Sequence, residues 1–492
     1  MPTNPKADRN LRRAPTPAPR VTALVSLAAT LILTASGLAG ATTINAKSAS
    51  QSDVAAAVAS AADGDTVTIP GGTASWTRTL QVKRGITIQG AGVGVTIIKD
   101  NVASGQLISM TVPAGLTSRV TGIEFQDGGH GGRGGYANNP GLVNAQCADQ
   151  RNGAQFRFDH NKWNDVFGDV GVDTILGVAD HNTFISNGRG SFSIYADHYD
   201  GQPNGYDYSW HDPCNFGSAN FFFIEDNTFT NTNATNQAFI TDAVAGARFV
   251  IRHNTSTGYR TGDHGTDSVG RQRGSRCYEV YNNTMDGANL NKYIGGSRAS
   301  TVLIHDNTIS NYWSPAQYSL DAFRTFYRFS IFGGADGTNP WDVNDTTGGR
   351  NHNGIYFTGT VASSTSAGGL PTVTVSGNPN WTTNQWYGYV VRRLTDNCNS
   401  GTINYAEIAS NNSNTLTYGY AQYEPSMSFC VGDSLEIRKV IHPMDTSGRG
   451  QGSILANVLN ATPPQTWNDQ VTEPSYMWNN GPETTLFAPS TG

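Results

Sequence analysis

The residue types best suited to chemistry crowd into one polar stretch, Gly258-Tyr-Arg260-Thr-Gly-Asp263-His264-Gly265, running on through Arg271 and Arg273 to Arg276. Four arginines beside a histidine and acids stand out in a chain with only 14% charged residues. Arginine holds a carboxylate through two parallel hydrogen bonds, so such a pocket suits an acidic sugar. In β-elimination from a uronate, the carboxylate must be neutralised to acidify the C5 proton, and a base must then take it. His264, Arg271, Arg273, Arg276, Lys292 and Asp242 are the candidates for those jobs, with Arg260 placed to bind substrate. The competing reading is a solvated loop whose arginines pair with nearby acids.

A second set is acidic. Asp149 and Asp242 each stand 12 residues before an Asn, at Asn161 and Asn254, and Asp169 stands 13 before Asn182. Asp197 and Asp263 fall into the same column if Tyr206–Gly217 and Asp267–Gly274 are insertions. Equal offsets in a stacked coil lie about 4.8 Å apart, so Asp197, Asp242 and Asp263 could bind calcium through oxygen ligands. Asp242 with Asp263 could equally serve hydrolysis as a carboxylate pair. Any one of these Asp residues alone is accounted for by turn chemistry. His198 adjoins Asp197, and Tyr206, Tyr208, Trp210, His211 and Phe216 form an aromatic insertion. Such rings stack on sugars or pack beneath a long loop, and Tyr208, Trp210 and His198 join Arg260 as the expected substrate-binding set. Gly128–Gly135 lacks the Lys-Ser/Thr of a phosphate loop.

These residues depend on a repeat for their placement. Six short alternating apolar runs end at Asn161, Asn182, Asn227, Asn254, Asn283 and Asn307, five of them followed by Thr. Alternation that stops at a turn residue is a strand signal. The intervals of 21, 45, 27, 29 and 24 residues give a coil of about two dozen with insertions. A repeat of that size must stack on its neighbours to bury its apolar side, and Asn tolerates left-handed backbone while bonding along the stack. The expected fold is all-β, a right-handed parallel β-helix over residues 42–312. An N-terminal cap at about 50–65 includes a helix over Asp53–Ala62. Residues 313–357 read as a connecting segment. Six runs over 358–440, spaced by about ten residues with Gly, Asn and Ser turns, predict a small inserted antiparallel domain. Residues 441–492 read as a tail packed along the helix.

Arg12, Arg13 and Arg20 precede an apolar run from Val21 to about Leu38 that closes on Ala39-Gly40-Ala41. That pattern predicts a secretory signal over 1–41, with no membrane attachment after cleavage. The formal charge of −6 becomes about −10 once the five basic residues and one acid of that segment are removed. No broad basic surface remains for nucleic acid. Five cysteines in an exported chain suggest disulfides with one thiol left over, and Cys398 with Cys430 is the expected pair.

The Gly64-Asp65-Thr66-Val67 turn, Gly85-Ile86-Thr87-Ile88-Gln89-Gly90 and the Asn-Thr coils resemble the pectate-lyase-like superfamily over about residues 45–312. The resemblance implies a secreted parallel β-helix in a superfamily that includes lyases, hydrolases, epimerases, esterases and adhesins. The polygalacturonase pattern is not matched, and no counterpart of the pectate lyase arginine is found, so the resemblance assigns no catalytic residue. The functional expectation is a monomeric polysaccharide lyase acting on a uronate polymer, with calcium as a possible cofactor. The alternatives are a hydrolase using paired Asp residues and a non-catalytic glycan-binding protein.

Overall fold

The computed structural model describes residues 40–129, 142–188, 192–197, 208–233, 238–262, 274–290, 294–311, 317–321, 323–325, 355–365, 369–398, 405–419, 427–438, 444–449, 471–481 and 486–487. The expected leader lies outside these residues except for its last two positions. Most of the connecting segment 313–357 lies outside them as well.

The apolar alternation does what its period requires. Strands such as Gln155–Asp159 turn Phe156 and Phe158 into a core where both are fully buried. Each buried Phe contributes about 2–3 kcal/mol of transfer free energy. Three parallel sheets wrap that core. The first has eleven strands, from Thr43–Asn45 to Tyr476–Trp478; the second has nine and the third seven. Successive chain segments visit first, second and third sheet in turn, which is the course of a parallel β-helix. Beyond Tyr259–Arg260, Thr261 N–H donates to Ile294 O at 2.8 Å. The third side then continues through Gly295–Arg298, Tyr318–Asp321 and Leu486–Phe487.

The corner between first and second sheets is the tightest and most regular. His160, His181, Asp226, His253, Asn282 and Asp306 each adopt φ between 54° and 57°. The Asn that follows each one is buried. These Asn side chains form a continuous ladder. Asn161 N–H donates to Asn182 Oδ1 and Asn182 N–H to Asn227 Oδ1, both at 2.9 Å. The series runs on through Asn254, Asn283 and Asn307. Each Nδ2 also donates to a strand carbonyl of the neighbouring coil, as Asn254 Nδ2 does to Ile224 O at 2.8 Å. Asn480 is a seventh rung, its Oδ1 accepting from Asn307 Nδ2 at 2.8 Å. The C-terminal segment is therefore the last coil and not a tail laid along the helix: Tyr476–Trp478 pairs in parallel with Leu303–His305.

The first coil is closed by a helix, Gln51–Ser60, with Ser50 Oγ accepting from Asp53 N–H. Val54, Ala57 and Val58, spaced i, i+3, i+4, turn inward and cover the open end of the core. It starts two residues earlier than the sequence pattern suggested. Between the penultimate and last coils the chain makes a closed antiparallel barrel of six strands, from Ile355–Thr365 to Ser434–Arg438. Its core includes Trp381, Trp386, Val391, Ile408 and Ile437, and the Cys398–Cys430 disulfide joins two of its loops.

Replacing Asn254 by Ala removes an acceptor for Asn227 and donors to Asn283 and Ile224. The expected loss is about 2–4 kcal/mol, since buried groups are left without partners. His253→Gly, at φ 57°, should change stability by no more than about 1 kcal/mol. Denaturant midpoints of the two variants check both numbers.

Candidate functional site

The three outer faces of the coil are not equivalent. On the first sheet, outward residues are already engaged with one another. Arg119 pairs with Asp159, Arg157 with Asp180 at 2.7 Å, and Arg252 with Glu225 at 2.5 Å. Further along, Tyr281, His305 and Trp478 stack with ring centroids 5.0 and 4.2 Å apart. This is a structural ladder of charges and rings.

The third sheet differs in its connections and its chemistry. Its strands Val143–Cys147, Val170–Asp173, Phe192–Asp197, Ala238–Val244 and Tyr259–Arg260 are entered or left through the long segments 128–142, 198–221, 232–237 and 261–276. By contrast the corner between first and second sheets is tight in every coil that carries a rung Asn. Register places Asn144, Gly171, Tyr195 and Asp242 in one row and Gln146, Asp173 and Asp197 in the next. Alternation sends these rows outward, because Val170 and Val172 between them are core residues. Phe192, Phe239 and Arg260 form a third row. Their rings lie 5.0 Å apart, and the Arg260 guanidinium sits 4.9 Å over Phe239. Aromatic, cationic and acidic side chains thus share one strip along the coil axis.

Asp169 stands at the head of the strand Val170–Asp173. The residue is only partly covered, yet its Oδ1 is buried without a hydrogen-bond partner, as is Asn144 Oδ1 nearby on the same sheet. Burial pushes the Asp169 carboxyl up to about 7. A carboxyl that exchanges its proton near neutrality is suited to acid–base work. Sequence offset grouped Asp169 with the other acids but gave no sign of its burial.

The expected column of five acids is not one column. Asp149 follows the strand Val143–Cys147 and caps it locally, its Oδ1 accepting from Arg151 N–H and the Cys147 thiol. Asp169 precedes its strand. Asp197 is level with Asp173 and Val244, so Asp242 lies two residues upstream, level with Tyr195. Counting back from the Asn rungs misaligns them because the connections from third to first sheet differ in length: 148–154, 174–175, 198–221, 245–247 and 261–276. Among the described residues, no three His, Cys, Asp or Glu side chains converge to hold a metal ion. The side chains of Asp197 and Tyr208, and the whole of His198, Asp263, His264, Arg271, Arg273 and Lys292, lie outside the described residues.

Two expected site residues prove to be structural. Trp210 is 2% exposed and packs on the turn at Gly246, where φ is +82° and a Cβ would meet its ring at 2.7 Å. It is covered by the insertion instead of being displayed on it. Arg276 is 1% exposed. Its guanidinium donates to Glu473 Oε2 at 2.6 Å, Thr301 Oγ1 at 3.0 Å and Asp212 O at 3.3 Å, on the outer side of the first sheet. It ties three chain segments together and has no surface to offer a substrate. Arg248, which the sequence did not single out, does the same for the insertion, donating to Ser209 Oγ and O and to Pro213 O. Arg260 remains on the third-sheet face, whereas Asp242, although in its outward row, is only 3% exposed, with its Oδ1 accepting from Ala243 N–H at 2.9 Å.

No protein-family model, no curated protein and no solved structure matches this chain. Among the described residues, no helix is long and apolar enough to cross a membrane.

Two stability predictions follow from this geometry. Arg276→Ala strips the buried guanidinium from Glu473 Oε2, leaving Glu473 with Arg449 3.1 Å from its Oε1, and is expected to cost about 3 kcal/mol, with much of that recovered in Arg276→Met combined with Glu473→Gln. A double-mutant cycle by chemical denaturation measures the difference. Asp169 carries a folded-state value above its ordinary 3.8, so the folded protein binds the extra proton between those two values. Its contribution is full in acid and is lost as pH rises from about 4 to about 7, by up to about 1.4 kcal/mol per pH unit. Asp169→Asn should flatten that part of the stability–pH curve.

Proposed function

We propose that the outer face of the third sheet is the floor of a groove that binds an extended polysaccharide, and that the protein cleaves a uronate-containing polymer by β-elimination. One observation carries the reading: in-register rows of acidic, aromatic and cationic residues lie along the outer face of this sheet, and the long connections 128–142, 198–221 and 261–276 all join its strands. Loops raised over one face of a repeat are where such scaffolds build sites. A floor that repeats with every coil suits a substrate that repeats as well. Phe192 and Phe239 supply apolar surface for sugar rings, and Arg260 supplies charge for a carboxylate. Asp169 or His264 would take the C5 proton, with Arg271, Arg273 and Lys292 drawn to the acidic substrate from the flanking segments. Membership of the pectate-lyase-like superfamily, export by the 1–41 leader, action as a monomer and a calcium ion held by Asp197 with Asp242 or Asp263 belong to this same proposal. The offset between Asp197 and Asp242 makes the calcium assignment depend on Asp263.

A specific observation favours a second reading. Asp173 and Asp197 are level on adjacent strands, whose backbones lie about 4.8 Å apart, a register that suits the paired carboxyls of a retaining hydrolase. This replaces the pair Asp242 and Asp263 expected from sequence.

The test is turnover of pectate, alginate, glucuronan and hyaluronan, followed by ultraviolet absorbance of the unsaturated product and by new reducing ends, with calcium and with chelator. Absorbance that rises with the reducing ends supports elimination; reducing ends without absorbance favour the Asp173–Asp197 hydrolase. Silence in both assays, with polymer still bound, overturns both. Phe239→Ala and Arg260→Ala are expected to weaken polymer binding about tenfold each without altering the unfolding transition, as loss of one stacking or cation–π contact predicts.

A further inference from the structure

The structure holds one disulfide and three thiols, at Cys147, Cys214 and Cys277. Cys147 stands apart, fully buried on the third-sheet strand Val143–Cys147 with its thiol on Asp149. The other two lie together although 63 positions separate them in the chain. Cys277 opens the first-sheet strand Cys277–Tyr281, level with Arg248 and Thr301. Cys214 belongs to the insertion 198–221, which Arg248 and Arg276 pull down by bonding Ser209 O, Pro213 O and Asp212 O. The two cysteines share a small apolar cluster with Phe221 and Val250, flanked by Phe216. Their thiols are within hydrogen-bonding reach of each other, and Glu473 Oε2 lies 3.9 Å from Cys214 Sγ.

We propose that Cys214 and Cys277 are joined by a second disulfide, which staples the insertion to the outer face of the first sheet. Strand pairing holds Cys277 on both sides and the Arg248 guanidinium reaches the Cys214 carbonyl at 3.5 Å, so closing the bond calls for rotation of two side chains that already share one cluster. The linkage closes a long loop and thereby restricts the unfolded chain substantially.

The chemistry balances as thiol–disulfide exchange. The thiolate of Cys277 attacks one sulfur of a donor disulfide, of a protein oxidoreductase or a small molecule such as oxidised glutathione, and expels one donor thiolate. Cys214 then attacks the Cys277 sulfur of the mixed disulfide and expels the second. Two protein thiols lose two electrons and two protons, and the donor leaves as two thiols. Burial opposes ionisation of Cys277, but the Cys214 thiol and the guanidinium groups of Arg248 and Arg276 outweigh it and hold Cys277 below the ordinary thiol range. Before the insertion closes, the guanidinium groups of Arg248 and Arg276 beside the strand favour the same thiolate, which makes Cys277 the attacking sulfur. Exchange precedes closure of the insertion, because Phe221 and Val250 then shut the pair away from solvent.

The test uses the full chain produced in an oxidising compartment, or refolded with oxidised glutathione. It is denatured without reductant, alkylated and mapped by mass spectrometry, with the Cys398–Cys430 peptide as the internal standard of oxidation. The expected map shows a linked peptide pair containing Cys214 and Cys277, and alkylation at Cys147 alone. Alkylation of both Cys214 and Cys277 in a sample whose Cys398–Cys430 bond is intact overturns the proposal, as does a linked pair that includes Cys147. In Cys277→Ser, the linked pair is lost and Cys214 becomes alkylated. Should that variant fail to fold, the map of the parent chain still decides.

Discussion

The Asn ladder is the constraint on which the rest of this structure depends. A coil that turns from first to second sheet within one left-handed residue leaves backbone groups pointing into the protein, where no water reaches them. Each Asn satisfies the N–H of the preceding rung with its oxygen and a neighbouring coil's carbonyl with its amide. Both functions are needed at once, which is why neither Asp nor Ser substitutes on any of the rungs from Asn161 to Asn480. Because each rung bonds to the next, from Asn161 onward the ladder fixes the rise from coil to coil and with it the register of the strands that follow. Everything placed on the third sheet inherits that register.

With the first corner fixed, variation is pushed to the other corners. Between first and second sheets an extra residue would break a rung at a cost of buried unpaired groups. Connections on either side of the third sheet carry no such ladder, and they lengthen freely at modest entropic cost. The long connections that join the third sheet are therefore a consequence of where the hydrogen bonding is strict. The closed barrel obeys the same logic on a larger scale. It is interpolated between the penultimate and last coils, and the ladder resumes at Asn480 as though the 173-residue gap were absent.

The fold was legible because its signals are local. Apolar alternation, a rung Asn and a following Thr recur within each half-dozen residues, and the six barrel runs correspond to six strands. What escaped was long-range. Trp478-Asn479-Asn480 carries the rung signature, but with no neighbour at coil spacing it read as a tail. The acid column breaks for the complementary reason: an offset from the regular corner passes through connections that range from two residues to a long insertion. The two misplaced site residues share a cause. Trp210 and Arg276 adjoin insertions, and sequence says that a polar or aromatic residue borders a loop without saying whether the loop covers it.

That last distinction also bears on what kind of protein this is. Charge in this molecule is spent mainly on holding parts together. Arg119, Arg157 and Arg252 lace the first sheet, while Arg248 and Arg276 anchor the insertion. In a chain with few charges, each arginine so engaged is unavailable to neutralise a substrate. The cationic character read from the 260–276 stretch is thus reduced by one member. What remains on the third-sheet face is Arg260 against Phe239, together with acids whose spacing the ladder dictates. An anionic polymer would have to meet that face through the flanking arginines or through a bound cation, whereas a neutral one would meet the rings and the Asp173–Asp197 pair directly. Under the proposed reading, the balance between elimination and hydrolysis turns on how the charges of the flanking segments compare with the rings and acids whose register the ladder fixes.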